Sequence, residues 1–304
     1  MLHTTNKAPQ HIEKLLGVKI NYVQLDESLA TVDRWLQKRG KHYVVTPNPE
    51  IVVDSLKDQQ FKMALNQADL AIADSPRLGW GTKVQKSKLG IFRLVYLPFL
   101  FFPQIFSANE FPTTTGTDLT KELIKLSEEK GYTTAFLGST TKVADKLFNC
   151  LMANYPKLKI AFCSGNIKVN EKGESTFDIK KDNMTMSKEI NQLQATKMTK
   201  VTKVTKEESS FNYHLLSEKI DILFLAFGHK KQEKWMNQNL SKLNARVMVG
   251  VGGAFDYISG TIPRAPLFLR TLELEWLFRL MVQPWRIKRF WKLGYFVYKV
   301  ITVK

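Results

Sequence analysis

The sequence predicts an α/β protein with a Rossmann-like, doubly wound and mostly parallel sheet. Six short apolar or β-branched runs alternate with helical patterns, and each run stops at a small or polar residue. Strands that are buried on both faces of a parallel sheet have such continuous apolar runs, and their alternation with helices favours a doubly wound sheet. The chain has 304 residues and is 44% hydrophobic, which is sufficient for the core of one large domain.

The predicted elements follow one another in a regular order. The apolar runs predict six buried parallel strands, over His42–Val45, Leu70–Ala73, Thr134–Leu137, Ile160–Cys163, Ile222–Phe227 and Arg246–Val251. Patterns with helical period predict helices over Ile51–Gln67, Leu119–Lys130, Lys142–Asn154 and Lys231–Leu240.

Two insertions interrupt the predicted core domain, which covers residues 1–260. The first, over 86–112, contains an apolar stretch whose two prolines argue against a continuous membrane-spanning helix. We interpret it either as a buried or partner-contacting loop or as a shallow membrane hairpin. The second, over 180–209, is rich in Lys and Thr and is predicted to be disordered and without a catalytic role.

Residues 261–304 are predicted to form a basic, aromatic-rich helical appendage. They contain nine Lys or Arg and two Glu, and the cations alternate with aromatic residues. Since the whole chain has a net charge of +17, this pattern favours an anionic membrane surface as partner. RNA could use the same residues, but no RNA-binding motif accompanies them, so nucleic acid is not the predicted partner.

The remaining composition bounds the compartment and the class of enzyme. Only Cys150 and Cys163 are present, without the spacing of a zinc site, which indicates a reducing compartment. The polar start of the chain has no apolar stretch of a secretory signal, so we predict a cytoplasmic location. The dinucleotide fingerprint and the Walker A motif are absent, which disfavours a dehydrogenase or a P-loop enzyme.

Polar residues follow two of the predicted strands at the point where each strand ends. Thr46 and Asn48 come after the first strand, and Asp74 comes after the second. The carboxyl ends of parallel strands form the ligand crevice of such a sheet, where a carboxylate can accept a proton from a sugar hydroxyl. The alternative is that Asp74 is a helix N-cap and that the other two residues form a capping turn.

Two later turns offer places for a phosphate-containing ligand. Gly228 leads into a helix whose first amides, with Lys230 and Lys231 nearby, can bind a nucleotide diphosphate. Gln232 in the same turn can donate to and accept from a sugar or a base. The glycines of the block Gly250–Asp256 let the backbone approach a ligand closely.

Together these blocks resemble the WecG/TagA/CpsF family, glycosyltransferase family 26, over most of the chain. The matching blocks are Thr46–Glu50, Ala68–Asp74, Gly116–Leu119, Gly228–Trp235, Gly250–Asp256 and Arg264–Arg279. The resemblance implies an inverting UDP-sugar-dependent hexosyltransferase of cell-surface polysaccharide or teichoic-acid-type synthesis. Such an enzyme moves an N-acetylmannosamine-type sugar from UDP to a polyprenyl-diphosphate-linked N-acetylglucosamine at the cytoplasmic face of the membrane.

The resemblance also implies site residues, with Asp74 as the general base and Thr46 assisting it. Three arginines of the appendage are implied to hold the diphosphate, and neither a metal ion nor a cofactor is implied. The implied substrate contacts are Asn48, Gln232, Glu233, Gly252, Gly253, Asp256, Arg279, Arg286 and Arg289.

This chain departs from the family pattern at two places. Ser75 follows the aspartate where the family usually has glycine, and Thr113-Thr114 stands where the family has an Arg-Val pair. Arg77 and Arg93 are the candidates to supply the missing cation. A non-catalytic, membrane-associated scaffold protein with the same fold is the alternative function, and a homo-oligomer is compatible with either.

Overall fold

A computed structural model of the chain describes residues 11–87, 90–100, 103, 110–165, 167–177, 219–271 and 275–303. The chain divides into two compact units, each made of separate stretches of sequence. Unit 1 contains Met1–Thr31, Val44–Leu119 and Pro263–Lys304, and unit 2 contains Val32–Tyr43 and Thr120–Ile262. The predicted insertion at 180–209 lies outside the described residues, as does part of the insertion at 86–112.

The described strands fall into one large sheet and two small hairpins. They are β1 (His11–Leu15), β2 (Val18–Tyr22), β3 (His42–Val45), β4 (Leu70–Ala71), β5 (Thr133–Gly138), β6 (Lys159–Ser164), β7 (Ile167–Val169), β8 (Ser175–Phe177), β9 (Ile220–Ala226) and β10 (Ala245–Gly250). The large sheet has the order β4-β3-β10-β9-β5-β6, and the pairs β3–β4, β10–β9, β9–β5 and β5–β6 run parallel. All six predicted strands are in this sheet, so the predicted fold class is confirmed.

Helices connect these strands and form the C-terminal appendage. They are α1 (Leu25–Gln37), α2 (Pro49–Ser55), α3 (Gln59–Gln67), α4 (Pro76–Lys86), α5 (Gly116–Lys130), α6 (Thr141–Asn154), α7 (Lys231–Asn239), α8 (Ala254–Ile258), α9 (Leu267–Thr271), α10 (Glu275–Val282) and α11 (Lys288–Thr302). Two 3-10 helices accompany them, at Gly90–Leu100 and at Pro284–Ile287.

The predicted helix over residues 51–67 was wrong, because two helices occupy this range. α2 ends with Leu56 as its C-cap, and Asp58 is the N-cap of α3 with its side chain accepting a hydrogen bond from the Phe61 amide. An N-cap aspartate has extended backbone and satisfies an amide that has no partner within the helix, so it begins a new helix. Helical periodicity alone does not reveal such a break.

Each unit has its own apolar core. In unit 1 the rings of Trp80 and Phe296 lie 6.5 Å apart and both side chains are fully buried. A Cβ atom on Gly81 would lie 2.8 Å from the Phe296 ring, so only glycine allows α11 to pack this closely on α4. In unit 2 the rings of Phe136 and Phe224 stack at 5.0 Å in the middle of the sheet. Among the described residues, none of the helices has the length and apolar character that crossing a membrane requires.

Candidate active site

Asp74 lies just beyond β4, and its carboxylate binds the first amide of another helix. Its own amide donates to the Pro47 carbonyl at 2.9 Å, and the Gly116 amide at the start of α5 donates to Asp74 Oδ1 at 2.5 Å. Ser75 is the N-cap of α4, with its hydroxyl accepting from the Arg77 amide at 3.4 Å. Ser75, and not Asp74, is therefore the N-cap of α4, whereas the carboxylate of Asp74 binds the first amide of α5.

Thr46 lies beside the same helix terminus. A Cβ atom on Gly116 would lie 3.2 Å from Thr46 Oγ1, so the glycine allows this hydroxyl to approach the backbone closely. Thr46 is buried, whereas Asp74 retains part of its surface in contact with solvent. The structure thus brings together the two residues predicted to be catalytic, around one helix N-terminus.

The surroundings of Asp74 shift its proton affinity. Burial raises the pKa of Asp74 to about 7, which is the largest effect. The Gly116 amide and the positive charge of Arg279 lower this pKa, while the negative charges of Glu275 and Asp118 raise it. A carboxylate that titrates near neutral pH can take up a proton during a reaction and release it afterwards.

An ion pair of two residues that were not among the predicted site residues lies next to this carboxylate. Arg264 donates two hydrogen bonds to Asp118 at 2.5 and 2.7 Å, and its Nε lies 4.0 Å from Glu275 Oε1. Burial raises the pKa of Asp118, but Arg264 and the Thr115 hydroxyl outweigh it and hold this pKa below its usual range. The pair joins the first turn of α5 to the segment that leads into the appendage.

Asn48 and Arg289 have structural partners in unit 1. Asn48 is the N-cap of α2, with Oδ1 accepting from the Ile51 amide at 3.1 Å, as the capping alternative predicted. Arg289 in α11 lies 3.4 Å from Glu50, and its side chain is about half exposed. Arg286 lies in the second 3-10 helix, and its side chain is outside the described part of the chain.

The departures from the family pattern also have structural explanations. The Thr114 hydroxyl donates to the Val23 carbonyl at 2.9 Å and its amide donates to the Ala73 carbonyl at 3.0 Å, so this position is used to hold the backbone before α5. Arg93 binds backbone carbonyls at the end of α11, so it is not the missing cation of the site. Arg77 lies 5.7 Å from the centre of the Trp276 ring.

Unit 2 contains the second group of predicted residues, at the start of α7. Gln232 Nε2 donates to Glu233 Oε1 at 2.9 Å, and the Gly252 amide donates to Gln232 Oε1 at 3.3 Å. Both ends of the Gln232 amide are therefore fixed. Burial raises the pKa of Glu233 to about 6, although the hydrogen bond from Gln232 and the charge of His229 lower it.

The glycine block after β10 shapes the backbone around Gln232. A Cβ atom on Gly250 would lie 3.0 Å from Gln232 Nε2, so glycine at this position lets the amide pack closely against the backbone. Gly252 has a left-handed backbone with a φ of 52°, and Gly253 is the N-cap of the short helix that contains Asp256. The Asp256 carbonyl accepts from the Ile262 amide at 3.0 Å. The blocks that contain Gln232 and Gly252 therefore lie together in one unit.

Comparison with known proteins gives one family. The family model of the glycosyl transferase WecG/TagA/CpsF family matches residues 13–91, 104–199 and 180–304 of the chain. Curated relatives from Staphylococcus aureus strains MRSA252, NCTC 8325 / PS 47 and COL are each 24% identical to the chain over 292 residues. The alignment covers 95% of this chain and 92% of each relative, and each is named N-acetylglucosaminyldiphosphoundecaprenol N-acetyl-beta-D-mannosaminyltransferase.

Proposed function

The chain belongs to the glycosyl transferase WecG/TagA/CpsF family, and we propose that it transfers an N-acetylmannosamine-type sugar from UDP to a polyprenyl-diphosphate-linked N-acetylglucosamine. The resemblance predicted from the sequence is confirmed, and the chain is a hexosyltransferase. The observation that carries the proposal is the half-buried Asp74 at the start of α5, whose pKa is raised to about 7.

Asp74 acts as the general base in the proposed reaction. In its ionised form it takes the proton from the acceptor hydroxyl while that oxygen bonds to the anomeric carbon of the donor sugar. The bond from this carbon to the UDP oxygen breaks on the opposite face, so the configuration inverts. A base with a pKa near 7 combines a useful ionised fraction with a useful proton affinity at neutral pH. The Thr46 hydroxyl, beside the same helix terminus, assists in the pocket.

The leaving diphosphate gains negative charge, and arginines supply the compensating charge in the proposed mechanism. Arg279 supports this role because its positive charge reaches Asp74. Arg289 makes a part-exposed ion pair with Glu50, and such pairs contribute little, so it can exchange this partner for a diphosphate. Arg286 is assigned the same role on its sequence position alone. We propose that these cations make a metal ion unnecessary.

Residues of unit 2 are proposed to contact the substrate. The fixed amide of Gln232 supports this role, because an amide with a defined orientation discriminates donors from acceptors on a ligand. Gly252, whose amide holds the Gln232 side chain, and its neighbour Gly253 remain predicted contacts. Glu233 and Asp256 of this unit, and Asn48 of unit 1, remain predicted contacts. For Glu233 the support is indirect, through its hydrogen bond with Gln232.

The proposed location is the inner face of the cell membrane, because the acceptor is attached to a lipid. The name of the relatives includes undecaprenol, and residues 276–304 of this chain contain cations and no Asp or Glu. Exposed Trp291 and Met281 in the appendage support contact with a membrane surface. An RNA partner would instead require tight, strongly salt-dependent binding without a preference for anionic vesicles.

Release of UDP tests the proposal directly. The purified chain is incubated with UDP-N-acetylmannosamine and a polyprenyl-diphosphate-linked N-acetylglucosamine, with and without EDTA. We expect UDP release that requires both substrates and is unchanged by EDTA, and a product whose anomeric configuration by NMR is opposite to that of the donor. A thermal-shift panel of UDP-sugars ranks other donors, since ligand binding to the native state raises the melting temperature. Binding of the substrates without any UDP release would instead support the scaffold alternative.

A further inference from the structure

An apolar segment of this chain lies outside the ranges that the family model matches. The model matches residues up to 91 and again from 104, and the described 3-10 helix Gly90–Leu100 falls largely between these limits. Within residues 93–100 the one charged residue is Arg93. Leu94, Val95 and Phe99 expose 49%, 61% and 37% of their surface. An exposed apolar surface of this kind normally marks an interaction site.

Arg93 joins this segment to the end of the appendage. Its guanidinium group is buried and donates to the carbonyls of Val300 and Ile301 at 3.5 and 3.3 Å, and also to that of Val303. The same group donates to the Ser87 carbonyl at 2.9 Å. The last carbonyls of a helix have no partner within it and carry partial negative charge, so a buried cation stabilises them. The segment is thus fastened to the C-terminus of α11.

A second contact fixes the segment to the core of unit 1. The indole Nε1 of fully buried Trp80 donates to the Tyr96 carbonyl at 2.9 Å. The backbone of the segment is therefore hydrogen-bonded to α4 through Trp80, and the segment is bonded to the end of α11 through Arg93. These bonds hold the exposed side chains on either side of Tyr96 in place. These side chains form a fixed apolar surface of the folded protein.

α11, to which the segment is fastened, has the composition of a helix at a membrane interface. Trp291 is 83% exposed and Tyr298 is 57% exposed. Lys299 lies 5.4 Å from the centre of the Tyr295 ring, and no acidic residue follows Glu275 in the sequence. Exposed Trp and Tyr next to Lys and Arg are characteristic of segments that contact lipid headgroups.

We propose that residues 93–100 and α11 together form a lipid-contacting surface whose occupant is an anionic bilayer. We call it the anchor surface and define it by the exposed side chains of Leu94, Val95, Phe99, Trp291 and Tyr298. The charge of α11 favours a bilayer over a second copy of the chain, because two copies would bring like charges together. The inference rests on the proposed function only for its choice of a membrane as partner.

Vesicle flotation with the full-length chain tests the anchor surface. The variant Leu94→Ser/Val95→Ser removes apolar surface without changing the charge. Its matched control is Ile12→Ser/Met63→Ser, in which the residues of the same unit are 51% and 50% exposed. We expect the partition coefficient onto phosphatidylglycerol-containing vesicles to fall by about tenfold or more in the first variant and by less than about twofold in the control.

Hydrogen exchange of the unaltered chain provides a second measurement that does not depend on a variant. Addition of the same vesicles should slow amide exchange in residues 93–100 and 288–303. Unchanged exchange in residues 93–100, equal losses of vesicle binding in both variants, or a dimer that the first variant dissociates while vesicle binding persists would each overturn the anchor surface. Vesicle binding without any UDP release would overturn the proposed function and leave the anchor surface intact.

Discussion

Asp74 in unit 1 and Glu233 in unit 2 each lie beyond the carboxyl end of a strand of the main sheet, and burial raises the pKa of both. The pKa of Asp74 rises to about 7 and that of Glu233 to about 6. By proton affinity alone the two acids are similar. Perturbed pKa values are common at functional sites, but structural groups have them as well, so the pKa does not distinguish the roles of the two residues.

Their surroundings do distinguish them. Asp74 as a residue is partly exposed, and its carboxylate accepts a hydrogen bond from the Gly116 amide. The positive charge of Arg279 lowers its pKa. Glu233 is fully buried, its Oε1 accepts from Gln232, and its Oε2 has no hydrogen-bond partner among the described residues. Asp74 as a residue is thus partly exposed, whereas Glu233 has no exposed surface. This difference supports the proposed roles, in which Asp74 transfers the proton and Glu233 positions Gln232.

The largest expected effect separates the two acids by activity. Asp74→Asn should lower kcat by roughly 10²–10⁴-fold, because the amide cannot accept the proton of the acceptor hydroxyl. In the unaltered enzyme kcat/KM should rise with pH through about 7, as Asp74 ionises. Steady-state UDP release measures both. The exposed acid Asp69 supplies the control, since Asp69→Asn should leave turnover unchanged. Turnover of Asp74→Asn within a few-fold of the unaltered enzyme would exclude Asp74 as the base.

The substitution Asp74→Asn, which should lower activity, should increase the stability of the fold at high pH. Asp74 holds its proton more tightly in the folded chain than at its ordinary pKa of 3.8, so its contribution to stability is present below about pH 4 and is lost as the pH rises through about 7. Asp74→Asn should therefore raise the free energy of unfolding relative to the unaltered chain at pH 8 but not at pH 3. Denaturant titrations at the two pH values measure this difference.

Arg279 should have the next largest effect, because it acts both on Asp74 and on the proposed leaving group. Arg279→Gln should lower kcat by roughly 10²-fold, as expected for the loss of one group that stabilises developing negative charge. It should also move the rise of kcat/KM above pH 7, because a positive charge that favours ionised Asp74 is lost. Arg279→Lys keeps the charge and should keep the rise near its original pH. A pH profile unchanged in Arg279→Gln would contradict the assigned interaction.

The sequence predicted the six strands and the position of Asp74, because strands buried on both faces leave continuous apolar runs. It did not predict the β1–β2 hairpin, in which polar and apolar residues alternate and the turn at Leu16-Gly17 has φ angles of 52° and 81°. From the sequence alone, residues 1–14 are a polar start of the chain and residues 15–22 have no predicted element. A glycine between two alternating runs was the available signal.

Residue types and periodicity do not predict contacts between distant parts of the sequence. Arg264 and Asp118 both stand in the blocks that resemble the family, yet their pairing joins positions 146 residues apart. The burial of Glu233 was equally hidden, because a charged residue in the first turn of a helix is ordinarily exposed. Both features come from tertiary packing, which residue types and periodicity do not encode locally.

The smallest expected effect tests the positioning role of Glu233. Glu233→Leu removes the acceptor of the Gln232 amide, and the loss of one hydrogen bond should raise the KM for the UDP-sugar by about tenfold with little change in kcat. Glu233→Gln retains an oxygen that can accept from Gln232 and should restore most of the affinity. Neither variant should move the rise of kcat/KM near pH 7. If Glu233→Gln instead lowered kcat as strongly as Asp74→Asn, proton transfer would belong to both acids and the contrast between the two units would fail.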